Sequence, residues 1–394
     1  MRILFLTSMP HLVTFGGANK AIRLTAERLV GEGHSVGVAG SLFGEGPGRI
    51  TSAEVTASGL APVEADGLCV LETTLKGVSY LGIDPLAQGL FRLKAAVHNY
   101  APEVILVAGE DTSGSLLALA LGYDVERSAV FAQTPDLLPL KSTVGGRGRY
   151  RELIGRAAAL IVTSAYAEQA AAAAGFDRVS FVVPPVFDAE PPCVGSPDGP
   201  VVMVNPSAIK GIDTFLALAL ARPERQFAAV PLWATTDSDR ARLKATANVD
   251  LVAPHADVAG VLTGASVLVV PSTWNENFPL TLVEALGLGI PAITSDVGGL
   301  REAGLGVAKI VEAAKSAPAG PSAQNLDVWL KHLDTLAERR RWQAESAASH
   351  AAAKAFASRH NATAFEAHIL EAVPAARSRR TTHDAAALHR QGEQ

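Results

Sequence analysis

Residues 266–295 read SVLVVPSTWNENFPLTLVEALGLGIPAITS. The unbroken apolar run SVLVVPS reads as a buried strand ending at Pro271, and PAITS reads as another. Between them the polar loop TWNEN leads into a helix, LTLVEALGLG, which Pro279 at its first position opens and the glycines close. Strand, loop, helix and strand in succession make one βαβ unit. Such units build parallel sheets with helices on both faces.

The same alternation runs through all 394 residues. ILFLTS, VGVAG, EVILVAG, AVFAQ, ALIVTSA and VSFVVPP are strand-like in the first half. VVMVN, FAAVPLW, VDLVAP, SVLVVPS and PAITS follow in the second. In GGANKAIRLTAERLVGEG the residues Ala18, Ile22, Ala26, Leu29 and Val30 share one helical face. The Pro-, Gly- and acid-rich stretch DAEPPCVGSPDGP (188–200) interrupts the alternation and reads as a linker. The expectation is an α/β chain of two Rossmann-like, doubly wound parallel-sheet domains. The first covers 1–187; the second covers 201–372 with returning C-terminal helices, followed by a polar tail at 373–394. Two such sheets in tandem are expected to form a cleft from the carboxyl ends of their strands. Segment 41–95 yields no legible elements, although acceptor choice should be shaped there.

Composition narrows the classes. With 48% hydrophobic and 19% charged residues the chain folds into globular domains. A formal charge of −5 argues against nucleic acid as a partner. The two cysteines, Cys69 and Cys193, have no metal-type spacing and suit a reducing compartment. MRILFLTSMP reads as a first buried strand and not as a signal peptide, and no apolar run is long enough to span a bilayer. The expected location is cytoplasmic.

Two carboxylates stand out. Glu284 lies amid Leu280, Leu282, Val283, Ala285 and Leu286, so it is expected to be desolvated and to need a hydrogen-bonding partner. It sits about 6 Å along the axis from the helix start. The free amides there, around Leu280 and Thr281, favour an anion. A ligand with a phosphate at the helix mouth and a diol a few ångströms further along satisfies both features, and a nucleotide sugar is one. The plainer alternative is a structural carboxylate tied to a neighbouring amide.

PSTWNENFPLTLVEALGLGIPAITSDVGG resembles the nucleotide-sugar signature of the retaining GT-B glycosyltransferases of glycosyltransferase family 4. Its hallmark is two glutamates separated by seven residues, here Glu276 and Glu284, then a small-residue turn, here Gly298-Gly299. MRILFLTSMP and FGGANKAIRLTAERLVGEGHSV are similar to the family's opening strand, glycine loop and first helix. VMVNPSAIKGIDTF is similar to its phosphate-binding entry to the second domain. The resemblance implies a GT-B fold and metal-independent, retaining transfer of a sugar to an acceptor hydroxyl on a glycan, glycolipid or secondary metabolite. It implies no cofactor beyond a nucleoside-diphosphate sugar as co-substrate, with UDP foremost.

By that resemblance Glu284 would bind ribose and Glu276 the donor sugar. The backbone from Asn277 and Phe278 through Leu280 and Thr281 would cradle the diphosphate, and Lys210 would neutralise it. Gly16 and Gly17 would approach the same diphosphate. Four positions depart from the pattern: Asn205 replaces an arginine, Gln133 a histidine, and Asn277 and Pro279 the glycines around the first glutamate. Lys20 and Arg301 are the candidates for the missing positive charge.

Other side chains have two readings each. His11, in the loop after the first strand, either orients an acceptor hydroxyl or is an ordinary loop residue. Glu110 and Asp111, ending EVILVAG, are placed to hold a cationic or polyhydroxylated acceptor. Trp233 and Trp274 either stack on the donor or pack the core. KSTVGGRGRYREL (141–153) is a solvated loop or faces an anionic acceptor or a membrane surface. The DSD at 237–239 spells a metal motif but reads better as a helix cap and first turn, so no metal site is expected. Two rival functions remain: a GT-B nucleotide-sugar 2-epimerase, and a catalytically silent GT-B nucleotide-binding partner subunit.

Overall fold

The computed structural model describes residues 1–12, 16–44, 49–109, 111, 113–134, 147–255, 258–312, 323–373 and 375. The chain divides into two compact units. Unit 1 comprises 1–14, 18–186 and 360–394, and unit 2 comprises 187–359 with the short stretch 15–17.

Unit 1 opens with β1 (Arg2–Thr7), α1 (Gly17–Gly31) and β2 (Ser35–Ser41). Then come α2 (Ser52–Ala57), β3 (Val63–Ala65), β4 (Leu68–Leu75), β5 (Val78–Asp84) and α3 (Leu86–Tyr100). The alternation continues through β6 (Val104–Ala108), α4 (Ser115–Tyr123), β7 (Ser128–Ala132), α5 (Arg147–Arg156), β8 (Leu160–Val162), α6 (Ala165–Ala173) and β9 (Val179–Phe181). The sheet order is β3-β4-β5-β2-β1-β6-β7-β8-β9. Seven strands, β5 through β9 in that order, pair in parallel. The edge β3-β4-β5 is antiparallel, so this sheet is mixed where a purely parallel one is expected. The central strands β6 and β7 are buried at every residue because both faces are covered. In β1, Leu4 and Leu6 enter one core and Ile3 and Phe5 the other.

Unit 2 begins with β10 (Val201–Val204), α7 (Ile212–Ala221), β11 (Phe227–Val230), α8 (Asp237–Lys244), β12 (Val249–Leu251) and α9 (Ala259–Leu262). β13 (Val267–Val270), α10 (Leu280–Gly287), β14 (Ala292–Ser295), α11 (Leu300–Ala303) and β15 (Lys309–Val311) complete the sheet. The helices α12 (Ala323–Thr335) and α13 (Arg339–Arg359) follow. The order is β12-β11-β10-β13-β14-β15, every pair parallel. The chain moves outward one way from β10 and the other way from β13. The crevice at the carboxyl ends of those two strands is therefore a topological switch point, the place where ligands bind open α/β sheets.

Residues 188–200 hold no helix or strand, and several of their backbone groups bond within unit 2: Val194 N to Leu288 O at 2.9 Å and Ser196 N to Ala265 O at 2.9 Å. A final described helix, α14 (Ala362–Ala372), belongs to unit 1. There Phe365 meets Phe131 edge-on at 5.8 Å, and Phe131 meets Phe5 at 6.4 Å. Among the described residues no helix is long and apolar enough to cross a membrane.

Candidate active site

At the unit 2 switch point two loops leave neighbouring strands and are stitched together. After β10 the chain passes Asn205 and Ser207, makes a single turn at Ala208–Lys210 and bends at Gly211. Gly211 has φ +83° and a Cβ there would lie 1.9 Å from the Pro271 carbonyl oxygen, so only glycine fits. The Ile209 carbonyl accepts the amides of Thr273 at 3.0 Å and Trp274 at 3.1 Å. These contacts fix the loop after β13 against the loop after β10.

That stitching brings Lys210 and Glu276 together across 66 residues of sequence. Lys210 Nζ lies 2.6 Å from Glu276 Oε1, with side chains 18% and 13% exposed. Ser272 Oγ donates to the same oxygen at 2.8 Å. Gly298 and Gly299 form the backrest of the glutamate loop. A Cβ on Gly298 would stand 2.2 Å from Glu276 O, and one on Gly299 1.7 Å from Asn277 O. The Gly299 amide donates to Glu276 O at 2.7 Å.

α10 departs from expectation in two respects. Pro279 is its N-cap in extended conformation, one place ahead of the first helical position, so Leu280 opens the helix. Leu282 N turns back on Pro279 O at 3.1 Å, and the Leu280 and Thr281 amides lie outside the helical ladder. Glu284 is not ringed by apolar neighbours. Leu280, Leu282, Val283, Ala285, Leu286 and Gly287 are buried, leaving Thr281 and Glu284 on one half-open stripe at i, i+3 spacing. A helix has room for one polar stripe even in an apolar sequence, which explains why this carboxylate is tolerated. Phe278 turns inward, stacked on Phe356 at 5.7 Å with Phe187 edge-on at 6.4 Å. Only its backbone remains for a ligand.

Asn205 and the candidates for the missing positive charge have the following surroundings. Asn205, in left-handed conformation at φ 59°, accepts the Ala234 amide on Oδ1 at 3.1 Å. Arg301 makes a two-pronged pair with Asp296, Nε–Oδ1 3.0 Å and Nη2–Oδ2 2.5 Å. Lys20 lies on α1 in unit 1, half-buried. Trp233 is 51% exposed on the turn after β11, while Trp274 is half-buried. In the DSD stretch Thr236 is the cap of α8, and Asp239 completes a capping box with it.

Unit 1 places its candidates differently. His11 is buried and stacks on Tyr80 at 5.6 Å, where desolvation lowers its pKa to about 4 and a backbone contact at Met9 offsets only part of that. Packing encloses the ring. Asp111 is also buried: Oδ2 accepts the Leu116 amide at 2.7 Å and Oδ1 the Ser113 hydroxyl at 2.6 Å. Its carboxylate thus anchors the start of α4. Gln133 donates from Nε2 to Ala18 O at 3.0 Å, tying the end of β7 to the first turn of α1. Among the described residues nothing lies within 4 Å of a Cβ on Gly17, which groups with unit 2, so none of them requires glycine there. Glu110 and residues 141–146 of the basic stretch lie outside the described residues. Arg151, within it, bonds the Ala174 carbonyl and lies 4.4 Å over the Phe176 ring, a structural use of the charge.

Residues 201–319, which carry every donor-loop feature just described, match the family model for glycosyl transferases group 1. The match spans less than half of the chain. No curated protein matches it. The chain is similar to Alr3699/HepE of Anabaena, solved in complex with UDP-glucose, at 18% identity and TM-score 0.63 over 94% of this chain and 98% of that one. It is also similar to the sucrose-phosphate synthase tll1590 of Thermosynechococcus elongatus, at 18% identity and TM-score 0.64 over 98% and 100%. The pneumococcal O-GlcNAc transferase GtfA, solved with UDP and GlcNAc, aligns at 13% identity and TM-score 0.65 over 94% and 99%. The chain therefore has the GT-B fold, with sheets of nine and six strands.

Proposed function

We propose that the protein transfers a sugar from a nucleoside diphosphate to an acceptor hydroxyl with retention at the anomeric carbon. The observation that carries this is the Lys210–Glu276 pair, 2.6 Å apart at the switch point, beside the first-turn amides of α10 with Glu284 on its open stripe. The diphosphate lies against those amides and Lys210, the ribose diol on Glu284, and the sugar hydroxyls on Glu276. The bond from the anomeric carbon to the diphosphate breaks as the acceptor oxygen bonds to that carbon on the same face. The acceptor proton passes to the departing phosphate oxygen. Lys210 and the helix dipole stabilise the charge that develops there, so the chain supplies its own cation and turnover proceeds without a metal. UDP complexes of similar folds, HepE and GtfA, support a uridine donor.

The test is thermal stabilisation of the wild type and of Glu284→Ala by UDP, ADP, GDP and dTDP. Stabilisation by one nucleotide, lost in the variant, supports the ribose site and names the base. No stabilisation of the wild type by any of them overturns the donor site.

A further inference from the structure

Ser272 belongs to this site although no sequence pattern singles it out. Its side chain is 1% exposed. Its hydroxyl donates to Glu276 Oε1 at 2.8 Å; the carbonyls of Ile209 and Trp274, at 3.3 and 3.4 Å, are the poorer acceptors for the same proton. The Ser272 carbonyl is held in turn by Ser295 Oγ of β14 at 2.6 Å. A chain of two hydroxyls thus runs from β14 through the end of β13 to one carboxylate oxygen.

The two oxygens of Glu276 are consequently unequal. Oε1 takes both Ser272 Oγ and Lys210 Nζ. Oε2 receives no hydrogen bond among the described residues and is the oxygen available to a ligand. Lys210 must share its three N–H bonds between the diphosphate and Oε1, whereas the single Ser272 hydroxyl proton has Oε1 as its best acceptor and holds the carboxylate with or without substrate. We infer that Ser272 is a positioning residue, which anchors Oε1 so that Oε2 is presented to a hydroxyl of the transferred sugar. This rests on the donor-site function proposed for Glu276.

The experiment measures Ser272→Ala against the wild type with UDP, ADP, GDP and dTDP, each free and as its glucose ester. Free nucleotide carries no sugar for Oε2, so its Kd should stay within about twofold of wild type. kcat/KM for the glucose ester should fall by about tenfold or more, the scale of one hydrogen bond to a charged group. On a Glu276→Gln background the same change should cost less than about threefold, because the two residues act as one unit. Ser272→Thr, which keeps the hydroxyl, should recover most of the loss.

An unchanged kcat/KM in Ser272→Ala overturns the inference. So does a loss of free-nucleotide affinity in step with kcat/KM, which indicates a collapsed loop. If Ser272→Ala does not fold, Ser272→Cys reads the same comparison with a weak donor of similar size. A wild type that binds no nucleotide overturns the donor site and this inference together; the other outcomes leave the donor site standing.

Discussion

At the scale of single residues the site has one cation held by one carboxylate. Lys210→Ala removes the group proposed to neutralise the leaving phosphate and leaves Glu276 partly buried without its ion partner. We expect kcat to fall by about 10²–10³-fold, the scale for losing a charge-stabilising donor, with thermal stability little changed. Steady-state kinetics beside a melting curve checks both. Glu284→Ala should weaken nucleotide binding by about 10- to 100-fold if, as proposed, the carboxylate accepts from two ribose hydroxyls; calorimetry with the free nucleotide reads it. His11 acts on stability in the opposite sense to a paired histidine. Its folded pKa, about 4, lies below the ordinary 6.5, so the unfolded chain binds the extra proton. The contribution is complete above pH 6.5 and is lost as pH falls towards 4. At about 1.4 kcal/mol per unit that drop is worth roughly 3 kcal/mol. Urea unfolding between pH 4 and 7 should show the slope, and His11→Phe should flatten it.

At the scale of elements, the loop of Glu276 is moulded by glycine. Gly299→Ala would drive a methyl group into the Asn277 carbonyl, 1.7 Å from the ideal position. The loop must move, so activity should drop by at least about tenfold while the sheet stays folded, as circular dichroism would show. This part was legible, because two glutamates at fixed spacing followed by paired glycines carry their chemistry in residue type. The βαβ alternation was legible for the same reason: strands covered on both faces have apolar runs that no other pattern imitates. The antiparallel edge was not. In β4, LCVLETTL, apolar burial gives way to exposure half-way along, so the run shows neither continuous nor alternating hydrophobicity. β15 is three residues long, too short for any periodicity. Ser272 escaped notice because a serine after a strand proline looks like any turn residue; its role depends on a contact with Glu276 that loop geometry creates. The burial of His11 was equally hidden, since polar residues after strands are usually exposed.

At the scale of the whole molecule, the core of unit 1 is completed by α14, far away in sequence. Phe365→Ala should therefore cost about 3–5 kcal/mol, and the loss should appear in the unfolding of unit 1 although the residue follows all of unit 2. Hydrogen exchange at β1 and β7 would register it. The same arrangement orders events on the ribosome. Unit 2 is nearly contiguous and can close once residue 359 has emerged, whereas Phe131 has to wait for Phe365. At about 5–20 residues per second that delay is on the order of 10–50 s. During synthesis the later-made half therefore finishes first, and the nascent first sheet spends that interval with one aromatic face uncovered, open to a chaperone.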